Sequence, residues 1–384
     1  MACYNACNHN AIDKIYDRKG FIHPKVDETK CVNCGLCSNA CPVLKTQNRN
    51  TQNLVYAGWI KDDTIRQKSS SGGLFYALSC YCIGKGGVVF GAQYAEDYKS
   101  VEHGIADSIN DIEKLMTSKY VQSDINNSFR LCKQYLLGNR VVLFSGTPCQ
   151  IAGLRAYLRK DYDNLITIDI VCHGVPSPGI YKDYMDYLEK TNQDKINNVN
   201  FRLKKPRWGN TYLFVGFEKA TPYLGSEGRD PFFIWSNRNY SLRDCCHHCE
   251  YTSVERVSDI TIADFWGFLP RSFKETSFDK GTSLVLINTP KGEQMVKSIS
   301  SKLYLTERTI KEAIAGNQML QKTFETPKDI DSFWCDYSEH GVTALFNYGE
   351  PYKGSSKIRA KILRIKRKYG FLLPASIKKI IKNN

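Results

Sequence analysis

No stretch of this 384-residue chain approaches the ~18 consecutive apolar residues of a membrane-spanning helix. The opening MACYNACNHN has neither a basic segment nor an apolar core, so no secretory signal is read there and a cytoplasmic protein is expected. A Walker phosphate loop, a Gly-x-Ser-x-Gly elbow and a His-Glu-x2-His pair are all missing, which removes the usual residues of nucleotide turnover and hydrolysis. Internal repeats are missing too. Residues 351–384 contain no acidic side chain but eleven lysines and arginines. Of a formal net charge of +14, only +3 therefore belongs to residues 1–350. A nucleic-acid groove across so balanced a body is not expected.

Against these absences stand 15 cysteines, in a chain otherwise composed like an ordinary soluble globular protein. A reducing compartment disfavours disulfides, so clustered cysteines point to metal or redox chemistry. The sharpest cluster is Cys31-x2-Cys34-x2-Cys37-x3-Cys41-Pro42. Three close thiolates wrap one corner of a [4Fe–4S] cube, and the fourth, before proline, turns to a partner cluster. Zinc needs four ligands, usually in two separated pairs, and does not call for this spacing. Upstream, Cys3-x3-Cys7 matches the last two positions of the same motif at an offset of 34, with Asn8 in place of the proline. The first two positions then fall before Met1, so the chain is expected to begin inside its first motif, with the true start upstream or one cluster lost; two incidental cysteines are the plainer alternative. In the crossed arrangement Cys7 completes the cluster of Cys31, Cys34 and Cys37. Cys41 is then left with Cys3 on a set lacking two ligands. One sound cluster is expected in this module.

Residues 1–50 read as a small ferredoxin-like iron–sulfur domain, and KTQNRNTQN (45–53) as a linker. From about 55 to 340 the pattern is that of a mixed-sheet α/β domain. Strands are expected at 141–146, 166–174, 198–204, 211–218, 260–268 and 283–289. Helices are expected over TPCQIAGLRAYL, YKDYMDYLEK and KGEQMVKSIS. Cys149 and Cys172 then fall at the carboxyl ends of strands, where open α/β sheets place their ligand crevices. With Cys246-x2-Cys249 they make four thiolates, enough for another cluster. The alternative is zinc through Cys245, Cys246, Cys249 and His247 or His248. Cys80, Cys82, Cys132 and Cys335 read as buried and inert.

An ordered series of motifs resembles the coenzyme F(420) hydrogenase/dehydrogenase beta-subunit family, in its bacterial form with an amino-terminal ferredoxin domain. The series runs from Cys31…Cys41-Pro42 through Ser69-Ser70-Ser71-Gly72-Gly73, Lys119-Tyr120-Val121-Gln122-Ser123 and Gly146-Thr147-Pro148-Cys149-Gln150. It continues through Asp169-Ile170-Val171-Cys172-His173-Gly174, Phe201-Arg202-Leu203-Lys204 and Cys246-x2-Cys249 to Arg256 and Asp259…Asp264-Phe265-Trp266-Gly267. The resemblance implies an iron–sulfur flavoprotein carrying FAD. It makes Cys149, Cys172, Cys246 and Cys249 the ligands of a body cluster. Ser71, Gly72 and Gly73 become the turn that approaches the flavin, because glycines admit close backbone contact. Lys119, Ser123, Lys204 and Arg256 become flavin or substrate contacts.

The function so implied is an oxidoreductase that moves electrons between a ferredoxin-type cluster and a flavin acting on a small molecule. Members of this type are similar to proteins found beside polysaccharide-synthesis enzymes, so the implied substrate need not be coenzyme F(420). The rival readings are a non-catalytic electron-transfer subunit feeding a partner enzyme, and a zinc-stabilised interaction module. In the basic tail, 351–384, Ile358, Ile362, Ile365 and Tyr369 form an apolar helical stripe. That pattern suits either a peripheral anchor at the inner membrane face or a helix packed on the body.

Overall fold

A computed structural model describes residues 1–45, 47–51, 54–205, 207–351 and 365–372. Thirteen strands are formed among them. A hairpin of β1 (Ile12–Tyr16) and β2 (Ile22–Val26) belongs to the amino-terminal module. The body is built on β3 (Leu54–Ile60), β4 (Val88–Tyr94), β5 (Val101–Ala106), β6 (Val142–Gly146), β7 (Leu165–Ile170), β11 (Ile260–Asp264), β12 (Ser283–Ile287) and β13 (Leu303–Glu307). These eight make one mixed sheet in the order β13-β3-β12-β11-β7-β6-β4-β5. Its centre, β11-β7-β6-β4, is parallel, and both flanks are antiparallel. A separate antiparallel sheet holds β8 (Ile196–Lys204), β9 (Thr211–Phe217) and β10 (Tyr223–Ser226).

The two-residue period of a strand explains the layering. Val89 and Leu143 point to one face of the large sheet, where helices Leu74–Gly84 and Pro290–Ser298 cover them. Val88, Phe90, Val142 and Phe144 point to the other, beneath helices Ser128–Leu137 and Pro148–Leu158. Helix Pro148–Leu158 starts where its sequence says it should. Thr147 and Gln150 close a capping box and Pro148 occupies the first turn. Strand β7 ends at Ile170, so Cys172 and His173 lie in the following loop and not within the strand expected to run to 174. Strand β11 likewise ends at Asp264, four residues short of the expected limit.

The amino-terminal module does not hang on a free linker. Ala2, Ala6 and Ala40 are buried in the same core cluster as Phe129 and Ile151. Phe21, 1% exposed, packs with Tyr181, Phe201 and Trp334. Arg130 caps the module's first helix, donating to the carbonyls of Asn5 (2.7 Å), Tyr4 (2.9 Å) and Cys7 (2.6 Å). The expected linker includes Asn50, which pairs with Arg256 through two backbone hydrogen bonds of 2.7 and 3.0 Å.

Among the cysteines expected to be buried, Cys82 and Cys132 are buried. Cys80 is half-buried and Cys335 is exposed beside Glu339, because its helix, Ile330–His340, turns that face to water. No helix among the described residues is long and apolar enough to cross a membrane. Ile358 and Ile362 of the tail stripe lie outside the described residues. In the described part, Arg367 donates to the Phe268 carbonyl at 3.0 Å and stacks over Phe278, while Phe371 meets Phe273 edge-on. Ile365 and Tyr369 remain exposed there.

Candidate redox site

The loop carrying Cys31, Cys34 and Cys37 is coiled by two left-handed residues, Asn33 (φ 55°) and Gly35 (φ 72°). Each bends the chain back between successive thiols, and asparagine and glycine are the residues that bear this conformation at least cost. The short helix Leu36–Asn39 follows and packs on helix Ala2–Ala6, which brings Cys3 within electrostatic reach of Cys41. Cys7 accepts a hydrogen bond from the Ala11 backbone N–H at 3.3 Å.

In the body, the thiols come from three distant stretches. Cys149 opens helix Pro148–Leu158, Cys172 follows β7, and Cys246 and Cys249 sit on the loop before β11. Cys149 lies within electrostatic reach of Cys249 and Cys245, Cys172 of Cys149 and Cys249, and Cys246 of Cys172. Thr147 Oγ1 stands 3.1 Å from the Cys149 sulfur. Among the described residues, no three His, Cys, Asp or Glu side chains converge tightly enough for a single metal ion. His247 instead pairs with Thr326 at 2.9 Å and packs edge-on against Phe324.

A cleft of about 380 Å³ opens at the carboxyl ends of β6, β7 and β11 and reaches Cys172. That volume lies in the usual range for small-molecule sites. Ile168, Ile170 and Ile262 form its sheet-side wall, with Leu74 and Phe75 contributed by the helix above. This helix, Leu74–Gly84, starts at Gly73 (φ 87°) with no side-chain cap. The Ser71 hydroxyl donates to the Thr282 carbonyl at 2.8 Å. Gly73, Leu74, Phe75 and Tyr76 of this uncapped helix start line the cleft, a place that favours negative charge.

Of the residues expected there, Ser71, Gly73, Lys119 and Ser123 line the cleft. Burial pulls the Lys119 ammonium down to about 7, and it donates to the Met116 carbonyl at 2.6 Å. Gly72, Lys204 and Arg256 do not face it. Gly72 is wedged between β3 and β12, its N–H donating to Ser283 Oγ at 2.9 Å and its carbonyl accepting from Ile60 at 2.7 Å. Lys204 is buried beneath the turn and donates to the carbonyls of Arg66 (2.7 Å), Ser71 (2.6 Å) and Lys280 (2.9 Å). Arg256 is 2% exposed and ion-paired with Asp169 at 3.0 Å. Both side chains hold backbone that shapes the site, since a buried polar head needs its donors satisfied locally.

Three further groups in the cleft carry no sequence signal of their own. His103, from β5, sits over Phe144, and its Nε2 bonds the Ser145 carbonyl at 3.0 Å. Its Nδ1 then accepts from Ser123 Oγ at 3.2 Å, and Ser123 accepts from Gln150 at 2.9 Å. Burial pushes this imidazole down to about 4, so it is neutral at pH 7. Asp264 faces the cleft while paired with Arg202 at 2.9 Å and with Trp208 Nε1 at 2.8 Å. Trp266 lies parallel to Trp208 at 4.9 Å and walls the mouth. Asp264 and Trp266 fall inside the last motif of the series without standing out in it, and a lone histidine in an alternating strand advertises nothing.

Residues 139–313 match the family model for the carboxy-terminal region of the coenzyme F(420) hydrogenase/dehydrogenase beta subunit, and residues 1–44 match the 4Fe-4S dicluster domain. No curated protein matches the chain. Among solved structures, a chain of the F(420)-reducing NiFe hydrogenase complex from Methanosarcina barkeri, studied with xenon, aligns at 15% identity and a TM-score of 0.48. The alignment covers 78% of this chain and 91% of that one.

Proposed function

We propose, for a chain that belongs to the coenzyme F(420) hydrogenase/dehydrogenase beta-subunit family over residues 139–313 and carries a 4Fe-4S dicluster domain over residues 1–44, that it is an iron–sulfur electron-transfer subunit serving a partner oxidoreductase. The observation that carries this reading is the seating of the two cysteine sets. The module is buried against the helix Pro148–Leu158, whose first turn carries Cys149, and the cysteines of the body gather where that helix, β7 and the 246–249 loop meet. Cys7, Cys31, Cys34 and Cys37 would hold one cube, and Cys149, Cys172, Cys246 and Cys249 another. Cubes of this kind exchange single electrons.

The finer reading adds a flavin in the cleft, and the residues present fit one. Branched aliphatic side chains offer a flat apolar wall, and the open helix start at Gly73 with Lys119 near by suits a phosphate. A bound flavin would exchange two electrons with a small molecule. Lys204 and Ser71 hold the turn, and His103, kept neutral, donates from Nε2 to Ser145 and orients Ser123 toward the space. A polysaccharide precursor as substrate draws no support from this lining, which lacks a row of free carboxylates for hydroxyl groups.

Anaerobic purification with iron, sulfide and flavin counted per chain, followed by EPR of the reduced protein, tests both levels. Four or more irons per chain and a cluster signal are expected. A colourless protein without iron defeats the electron-transfer reading. Iron without flavin, and no flavin taken up on reconstitution, defeats the flavin alone. Steady turnover of a small molecule by the isolated chain with an artificial donor would favour an enzyme over a subunit.

A further inference from the structure

The cysteines of the body arrive on separate stretches of chain, so something other than local sequence must set the distances between them. One side chain touches two of those stretches. Arg256 Nη2 pairs with Asp169 Oδ1 at 3.0 Å and donates to the Ile170 carbonyl at 2.9 Å, just ahead of Cys172. Its Nη1 donates to the carbonyls of Tyr251 (3.3 Å) and Ser253 (3.0 Å), just beyond Cys249. Nε donates to Thr261 Oγ1 at 3.2 Å, and that hydroxyl donates in turn to Asp169 Oδ1 at 2.6 Å. The Arg256 and Asp169 side chains are 1% and 0% exposed. The main chain of Arg256 has a partner of its own. It exchanges both hydrogen bonds with Asn50, nine residues after Cys41.

We propose that Arg256 is a positioning residue for the body cluster: its guanidinium fixes the Cys172 strand end against the Cys249 loop, and its backbone ties the exit of the amino-terminal module to the same point. The inference rests on the reading of those cysteines as cluster ligands. Its physical basis is the shape of the group. A guanidinium is a rigid planar fork with five donors, and here all three nitrogens are used on three different segments. A lysine offers one point charge on a flexible stem and cannot span them. Asp169 Oδ2 has no hydrogen-bond partner and is buried, so its charge depends on Arg256 and Thr261. Removing the arginine would leave that carboxylate uncompensated. The two thiolate carriers would then relax apart.

The test uses the full chain, purified without oxygen, with Cys172→Ser marking which EPR signal belongs to the body. Arg256→Gln is expected to lower the body cluster's resistance to a chelator about tenfold or more, the usual cost of losing a group that orients metal ligands. Its remaining signal should titrate at a more negative potential, because a cation beside an anionic cluster is gone. Arg256→Lys should recover the potential but not the chelator resistance, since charge returns and the fork does not. Thr261→Val, which leaves the arginine in place, lowers the midpoint by unpairing buried Asp169 and Asn288, and compared with wild type at equal distances below their midpoints it should still lose the body cluster faster. In all three the signal of the 31–41 module should keep its wild-type intensity. Wild-type chelator rates and potentials in all three would overturn the proposal. So would loss of both signals in parallel in every variant, the mark of a pair that merely supports the fold. If Arg256→Gln fails to fold, Arg256→Lys and Thr261→Val decide. A wild-type chain with no body signal defeats the underlying cluster reading instead, and that is visible before any substitution is made.

Discussion

Two glycines twelve residues apart bracket the helix over the cleft and give a matched test of how the turn is built. At Gly72 an added Cβ would lie 2.9 Å from the Ser283 backbone N and closer still to the Gly58 carbonyl. Both obstacles are backbone, on the strands that hold the turn, so neither can swing aside. At Gly84 the same Cβ meets nothing within 4 Å, and the residue ends a helix where alanine is the better former. Gly72→Ala should therefore cost about 1–3 kcal/mol as overpacking, toward the upper end because backbone must move. Gly84→Ala should stabilise by roughly 0.4–1 kcal/mol through the unfolded chain. At about 2 °C per kcal/mol for a chain of this size, the melting temperatures should move apart by about 3–8 °C, in opposite directions. Anaerobic thermal melts followed by circular dichroism read the difference. Equal melting temperatures for the two variants would refute the claim that Gly72 is required by contact with β3 and β12.

Two further outcomes follow from buried charge. Lys204 has its pKa pulled down to about 7 by burial, below the ~10.4 of an unfolded lysine. Between those values the unfolded chain holds the proton and the folded chain does not. This residue's penalty on stability therefore shrinks as pH rises through that window, and wild type should gain about 2–3 kcal/mol on Lys204→Met between pH 7.5 and 9.5. A constant difference between their unfolding midpoints across that range would show that burial does not control the group. Asp264→Asn leaves Arg202, whose side chain is 4% exposed, as an uncompensated cation, at a cost of about 3–5 kcal/mol. The double variant Arg202→Met with Asp264→Asn should regain more than half of that in denaturant midpoint. No recovery would mean the loss came from elsewhere, such as the Trp208 hydrogen bond.

Much of the central sheet is legible before folding. Residues 141–158 announce a strand and a capped helix, because Thr147, Pro148 and Gln150 satisfy the helix start with purely local chemistry. The same holds for helix Pro178–Asn192 and for β8 and β9, whose alternation is local too. The antiparallel flank of β3, β12 and β13 cannot be ordered from sequence, since strand order is decided by pairings hundreds of residues apart. Among site residues, the cysteines are legible because spacing itself encodes their chemistry. Lys204 and Arg256 pass for ligand contacts in sequence, because a lone cation looks the same whether it faces a cleft or three carbonyls beneath it. His103 matters through Ser123, Ser145 and Gln150, none of which is near it in the chain.

The burial of Phe21, Ala2 and Ala40 in body cores has a consequence for how traffic through this protein can be controlled. Many redox chains deliver electrons by a tethered carrier that swings between docking points, and the hinge then serves as the valve. Here the amino-terminal module is wired in place, with Arg130 gripping its first helix and Asn50 stitched to Arg256. If the two cysteine sets hold clusters as proposed, these contacts hold the distance between them, and with it the rate of transfer. What remains adjustable is the supply at the exposed loop around Cys34 and the occupancy of the cleft beside Cys172.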